Sequence, residues 1–409
     1  MRVGIAYFDD PKFLEQQDTQ LSGWYSVDGE VPGRFYRPTD LASDVIWITN
    51  TEYAEFTNND IAEKGANLRN LGYLNTNLSA ITEDLGISPD VVRLDETVQK
   101  LSLVVGRILR LMREVYSTDA MFSGYQVSRG LRQVLMPKGV ERISSPGLMR
   151  ALSDSFQNYS RCVVRSKSYG SRNKYFSVRK NRLAHVRELM ETQFPAGRVE
   201  LITSSQMPTS NRLQWLYSLG RPFVAKVSLT NVDPDVSDIL AFGQRKAKGE
   251  RASREWVSSL EAILLDAYAT VSIESAWIWD ELVSIPARYQ LPESLLKDEW
   301  FELSYSAQMA AELHYSALVQ MPRLPAALGG GIEVTPMAIW LKSMDRLLSF
   351  EMAKVIAEEG LVPFGYSSGS VSVRVTHSDE YQRINNLVRD TGWSFPLPIK
   401  EPEGEEDVA

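Results

Sequence analysis

Thr335-Pro336-Met337-Ala338-Ile339-Trp340-Leu341-Lys342 opens a stretch that runs without a helix breaker to Gly360, and Ser370-Val371-Ser372-Val373-Arg374-Val375-Thr376 follows soon after it. In the first, a hydroxyl residue followed by proline is the pattern of a capped first turn. Ile339, Leu347, Phe350 and Ile356 recur at helical spacing and form the expected core face, and Gly360 supplies the stop. The second alternates strictly, with Val371, Val373 and Val375 on one face and Ser370, Ser372 and Arg374 on the other, as in a half-buried strand. A partner strand is expected at Leu361 to Phe364. A long helix running into a hairpin sets the class as α+β (mixed α/β).

The same periodicities extend through the chain. Val3 to Phe8 and Val45 to Thr49 read as two strands of one sheet, and Val98, Leu101, Val105, Ile108, Leu109, Met112 and Val115 as one helix face. Gly170-Ser171 reads as a turn between strands at Cys162 to Val164 and Tyr175 to Val178. After Asn181 a helix carrying Leu183, Val186, Leu189 and Met190 is expected to end near Pro195, Ala196 and Gly197. Phe223 to Leu229 is a strand broken by Asp233-Pro234-Asp235, Tyr268 to Trp279 returns to strand character, and Glu302 to Val319 is helical. Gly329 to Gly331 form a break.

At 409 residues the chain exceeds what one core supports, so two or three domains are expected. We place an N-terminal α/β domain at 1–120, a basic, aromatic-interleaved α+β domain at 121–220, a C-terminal α+β domain at 221–395 and an acidic disordered tail at 396–409. The tail carries Glu401, Glu403, Glu405, Glu406 and Asp407 with little that could pack.

The net charge of −8 argues against a surface that is basic all over. The single cysteine, Cys162, rules out an intrachain disulfide and a multi-thiolate zinc site, and fits a reducing, cytoplasmic setting in which it is one residue of a buried strand. No apolar run approaches the ~18 residues needed to span a bilayer, and the N-terminus lacks a signal-peptide core, so no membrane partner is expected. His185, His314 and His377 lie far apart in sequence; His185 reads as a surface or packing residue of a basic helix and His314 as a core-edge residue. Gly329 to Gly331 are followed by Ile-Glu-Val, without the lysine of a phosphate-cradling loop. No cofactor is expected.

Two kinds of cluster remain. Acid pairs could hold a divalent cation for phosphoryl chemistry, because hard oxygen ligands neutralise phosphate charge: Asp9 with Asp10, Asp233 with Asp235, and Glu274 with Asp280. Each also reads as turn or surface chemistry, so no metal site is assigned. The second cluster is a basic band from Arg129 to Arg187, interleaved with Phe156, Tyr159, Tyr169, Tyr175 and Phe176. Lys and Arg neutralise phosphates while aromatic rings stack on unpaired bases, the pairing used by single-strand binders. Candidate nucleic-acid-binding residues are Arg161, Arg165, Lys167, Arg172, Lys174, Tyr175, Arg179, Lys180 and Arg182.

Residues 220 to 380 resemble the palm and fingers of family B DNA polymerases. Val227-Ser228-Leu229 is similar to the first palm motif, with Ala225 at the catalytic aspartate's position. Tyr315 matches the fingers tyrosine, with Gln308 where a lysine belongs. Tyr366-Ser367-Ser368-Gly369-Ser370-Val371 is similar to the Tyr-Asp-Thr-Asp-Ser hairpin, with Ser367 and Gly369 replacing both aspartates. The resemblance implies a palm-like C-terminal domain without its two metal ions. The first 120 residues, where that family carries an exonuclease, lack its acidic signature. The leading expectation is therefore a non-catalytic, nucleic-acid-associated accessory of replication or processing on a polymerase-like scaffold. The alternatives are a subunit of a larger protein assembly that meets partners through Trp277, Trp279, Trp300 and Trp340, and a metal-dependent enzyme using Asp233, Asp235 or Glu274.

Overall fold

The computed structural model describes residues 2–10, 21–50, 67–70, 93–116, 145–156, 160–161, 174–240, 242, 255–296, 305–319 and 334–394. It is a mixed α+β protein, as the periodicities require. The described residues form two compact units, the first from the segment up to 116 with 292–317, the second from 145–291 and 318–394.

In the first unit, β1 (Arg2–Phe8), β2 (Gly23–Val27), β3 (Gly33–Phe35), β4 (Val45–Thr49) and β5 (Asn67–Asn70) make one sheet in the order β3-β2-β1-β4-β5. The first three strands form an antiparallel meander; β4 then pairs parallel to β1, and β5 parallel to β4. β4 is buried along its whole length, which suits a near-continuous apolar run. Ala6, Phe8, Val27, Phe35, Leu41, Val45, Trp47 and Leu68 fill one core. Helix α1 (Leu94–Tyr116) packs on β1 and β2, and its Ser102 hydroxyl meets that of Ser26 at 2.8 Å.

In the second unit α2 (Pro146–Ser155) is capped by Ser145, and β6 (Ser160–Arg161) and β7 (Lys174–Arg179) precede α3 (Arg182–Met190). Next come β8 (Gln193–Thr203), α4 (Arg212–Ser218), β9 (Phe223–Thr230), β10 (Trp256–Ser258), α5 (Ser259–Tyr268) and β11 (Thr270–Ser284). Helix α6 (Tyr305–Val319) belongs almost wholly to the first unit. The chain returns to the second unit with α7 (Pro336–Glu358), β12 (Val362–Ser367), β13 (Ser370–Val375) and α8 (Ser378–Thr391). The strands form two antiparallel sheets, β10-β9-β11-β8 and β6-β12-β13-β7.

Helix α7 packs against strands of both sheets and against α2, α3 and α5. Its cap is as expected: the Thr335 side chain accepts from the Ala338 amide. Phe350, Ala353 and Ile356 share one core with Phe223 and Ala225 of β9 and with Val371, Val373 and Val375 of β13. Leu347, expected in that core, is only half-buried. The helix expected to reach Pro195 ends at Met190; Pro195, Ala196 and Gly197 belong instead to β8, where a bulge against Trp279 and Glu281 admits Gly197 at a φ of +81°. The edge position explains the proline, because no ladder partner asks for its missing N–H. Among the described residues no helix is long and apolar enough to cross a membrane.

Candidate nucleic-acid interface

Strand β7 pairs with β13 from Lys174↔Val375 to Arg179↔Ser370, so the basic end of β7 arrives beside the β12–β13 turn. There the Lys180 amide donates to the Gly369 carbonyl at 2.9 Å. Asn181 caps α3 by accepting from the Ala184 amide at 3.0 Å, which places Arg182 in the first helical turn. Val178 is buried, so strand alternation puts Ser177 and Arg179 on the other face of the sheet. The Arg179 guanidinium donates to Ser177 at 3.4 Å, and Lys180 is paired with Glu188. On β13 the same register places Arg374 on the face that carries Ser372 and Arg179. Arg374 is not among the expected binding residues, although its place in the alternating stretch marks it as a polar-face residue of that sheet.

The structure does not gather the whole band. Arg161 lies on β6, at the edge of the sheet opposite to β7, about 14 Å away at ordinary strand spacing. Lys174 and Tyr175 lie at the far end of β7 from the turn. Arg165, Lys167 and Arg172 fall outside the described residues, as do Cys162, the Gly170-Ser171 turn and the tail. Arg179, Lys180 and Arg182 are therefore the described residues that cluster at the turn.

The turn has an internal anchor. Ser368 and Gly369 have φ of +53° and +64°, the left-handed pair of a two-residue hairpin. Their successive amides point inward at one carboxylate: Ser368 N–H donates to Asp345 Oδ2 at 2.9 Å and Gly369 N–H to Oδ1 at 3.0 Å. His185 Nε2 lies 2.9 Å from Oδ1 and Lys342 Nζ 3.8 Å from Oδ2, while Ser349 bridges Asp345 and the Gly369 amide. Asp345 is fully buried. Burial works against its charge, but the His185 hydrogen bond, the Lys342 ammonium, the charge of His185 and the Ser368 amide outweigh it and hold the carboxyl well below the usual carboxylate range. A Cβ at position 369 would sit 2.8 Å from the His185 ring, so this turn position has no room for a carboxylate side chain.

A second buried pair stiffens the same helix: the Arg346 guanidinium meets both Glu261 oxygens at 3.0 Å and the Ser155 carbonyl at 2.6 Å. The buried polar groups of α7, with His185, are what the sequence reading missed. His185, expected as a surface or packing residue, is 1% exposed and carries a defined ion-pair geometry.

Ala225 is fully buried and pairs with Val257 on one side and Ala276 on the other, in a different sheet from the hairpin. The acid pairs are engaged elsewhere. Asp9 is held bidentately by Arg34 and hydrogen-bonded by Ser22 at 2.7 Å; Glu274 pairs with Lys226 at 2.8 Å and Asp280 with Arg221 at 2.8 Å. Asp233 accepts from the Asp235 amide at 2.9 Å, as a turn former does, beside a cleft of ≈ 480 Å³ lined also by Tyr268, Lys354 and Glu358. No group of three acidic, histidine or cysteine side chains suited to a metal occurs among the described residues. Two of the four tryptophans expected at a protein-facing surface, Trp279 and Trp340, are buried and meet edge to face at 5.9 Å. Their large rings are used by the core, Trp277 is half-buried, and Trp300 lies outside the described residues.

No protein-family model and no curated protein sequence matches the chain. Among solved structures it is similar to phi29 DNA polymerase, of the family that the strand, fingers and hairpin motifs resemble. With the complex of primer-template DNA and incoming nucleotide substrates it shares 11% identity at a TM-score of 0.45, over 91% of this chain and 80% of that one. With the post-translocation binary complex the TM-score is 0.47 at the same identity and coverage. With the polymerase bound to single-stranded DNA it is 0.38, at 10% identity over 72% and 58% of the two chains.

Proposed function

We propose that this protein is a non-catalytic, nucleic-acid-associated factor, an accessory of replication or nucleic-acid processing, that binds the phosphate backbone along the end of β7. The observation that carries this reading is the clustering of Arg179, Lys180 and Arg182 beside a hairpin turn whose two carboxylate positions are Ser367 and Gly369. Guanidinium and ammonium groups there neutralise phosphates and release counterions, which gives affinity without sequence preference. The turn presents no acid of its own: the nearby carboxylate is Asp345, buried beneath it and used to hold its backbone. Position 225, deep in the core, supports the non-catalytic part of the reading, because a metal-binding acid could not reach solvent from there.

The test is binding to labelled single- and double-stranded DNA and RNA across a salt series. Binding whose logarithm falls linearly with log salt, and whose slope shrinks when Arg179 and Arg182 are reversed to glutamate, supports the reading. Absence of binding at low salt overturns it.

A further inference from the structure

The chain leaves the described structure at the basic edge itself. Ser394 and Arg179 exchange two backbone hydrogen bonds, Arg179 N–H to the Ser394 carbonyl at 2.8 Å and Ser394 N–H to the Arg179 carbonyl at 2.7 Å, an isolated antiparallel bridge on the outer side of β7. The residues that follow include Glu401, Glu403, Glu405, Glu406 and Asp407 against Lys400 alone. The most acidic stretch of this chain is thus tethered to the residue that ends its basic strand.

We propose that the acidic segment 401–407 is an internal competitor for the phosphate-binding edge, occupying Arg179, Lys180 and Arg182 until nucleic acid displaces it; the proposal rests on the nucleic-acid reading of that edge. Reach is no obstacle. The seven residues from Ser394 to Glu401 span at most about 25 Å when extended, and Lys180 and Arg182 follow Arg179 directly in the chain. Spacing also suits the role. Glu401, Glu403 and Glu405 are alternate residues, so an extended chain presents them on one side about 6.6 Å apart. That is of the same order as the separation of consecutive phosphates on a single strand. The edge already accepts a carboxylate, since Lys180 is paired with Glu188. A tether this short supplies an effective concentration in the millimolar range, enough for weak, salt-screened contacts to compete.

The experiment compares the full chain with a full-length variant carrying Glu401→Gln, Glu403→Gln, Glu405→Gln, Glu406→Gln and Asp407→Asn, reading fluorescence anisotropy of a labelled thymidine oligonucleotide. The neutralised chain is expected to bind about 3- to 10-fold more tightly at low salt, the difference closing at high salt. A synthetic peptide of residues 396–409 is expected to bind the neutralised chain, to displace the oligonucleotide from it, and to lose both effects when Arg179→Glu and Arg182→Glu are added. Equal affinity of the two chains at low salt overturns the competition alone. Oligonucleotide binding by neither chain overturns the nucleic-acid reading and the competition with it.

Discussion

His185 Nε2 lies 2.9 Å from Asp345 Oδ1, joining the first helix after the basic strand to the middle of α7, and both side chains are almost wholly withdrawn from solvent. Through the same carboxylate the pair reaches the Ser368 and Gly369 amides, so the shape of the hairpin turn depends on residues distant in sequence from it.

Replacing Asp345 by alanine leaves Lys342, His185 and two amides without their common acceptor. Breaking a buried pair in this way costs about 3–5 kcal/mol, expected as a lower urea midpoint with an unchanged slope. The hairpin amides should also lose protection in hydrogen exchange.

The depressed acidity of Asp345 fixes the sign of a pH effect. Its folded-state pKa lies below the unfolded value, so its contribution is fully present above about pH 4 and is lost as pH falls below that toward the folded value. Urea midpoints measured between about pH 5 and pH 2 should fall more steeply for the native chain than for Asp345→Asn.

Gly369→Ala meets both a φ of +64° and a ring only 2.8 Å from the new Cβ. The left-handed conformation alone costs roughly 1–2 kcal/mol in a residue with a side chain, and the contact adds to it. In Gly369→Ala with His185→Ala the contact part should vanish, so the double variant is less destabilised than the sum of the singles.

Arg346→Met strands Glu261 in a site where both side chains are at most 6% exposed. The single change is expected to cost about 3–5 kcal/mol, whereas Glu261→Leu with Arg346→Met should recover much of that loss, because an apolar pair needs no desolvation offset. Thermal denaturation of the three variants checks the order.

Within the basic edge the residues are not equivalent. Arg179→Glu and Arg182→Glu should each lower the salt slope of oligonucleotide binding by about 0.7 for every phosphate that is no longer neutralised. Lys180→Gln should do less, since Glu188 already neutralises Lys180, and Glu188→Gln should tighten binding modestly.

Local pattern was enough to read α7 and β13. Thr335-Pro336 and Gly360 bound the helix, and the Val371–Val375 alternation names the buried face, because capping and side-chain period act between near neighbours. The same logic failed at β8, where Pro195 and Gly197 look like a stop signal; their strand exists because β11 pairs with it. It failed again on α7. Lys342, Ser343, Asp345 and Arg346 look like a solvated stripe, yet they are buried because the helix is packed on several sides by strands and helices.

By itself, then, the sequence determined the α+β class, the long capped helix, the alternating hairpin strand, the surplus of positive charge before residue 187 and the absence of acids at 225, 367 and 369. Only the tertiary structure decided which basic residues share an edge, that Arg161 sits across the sheet from Lys174, and that Asp345 and His185 meet beneath the turn. Those facts depend on strand pairing and on partners 160 residues apart for the last, and no periodicity along the chain encodes which distant polar groups will be buried together.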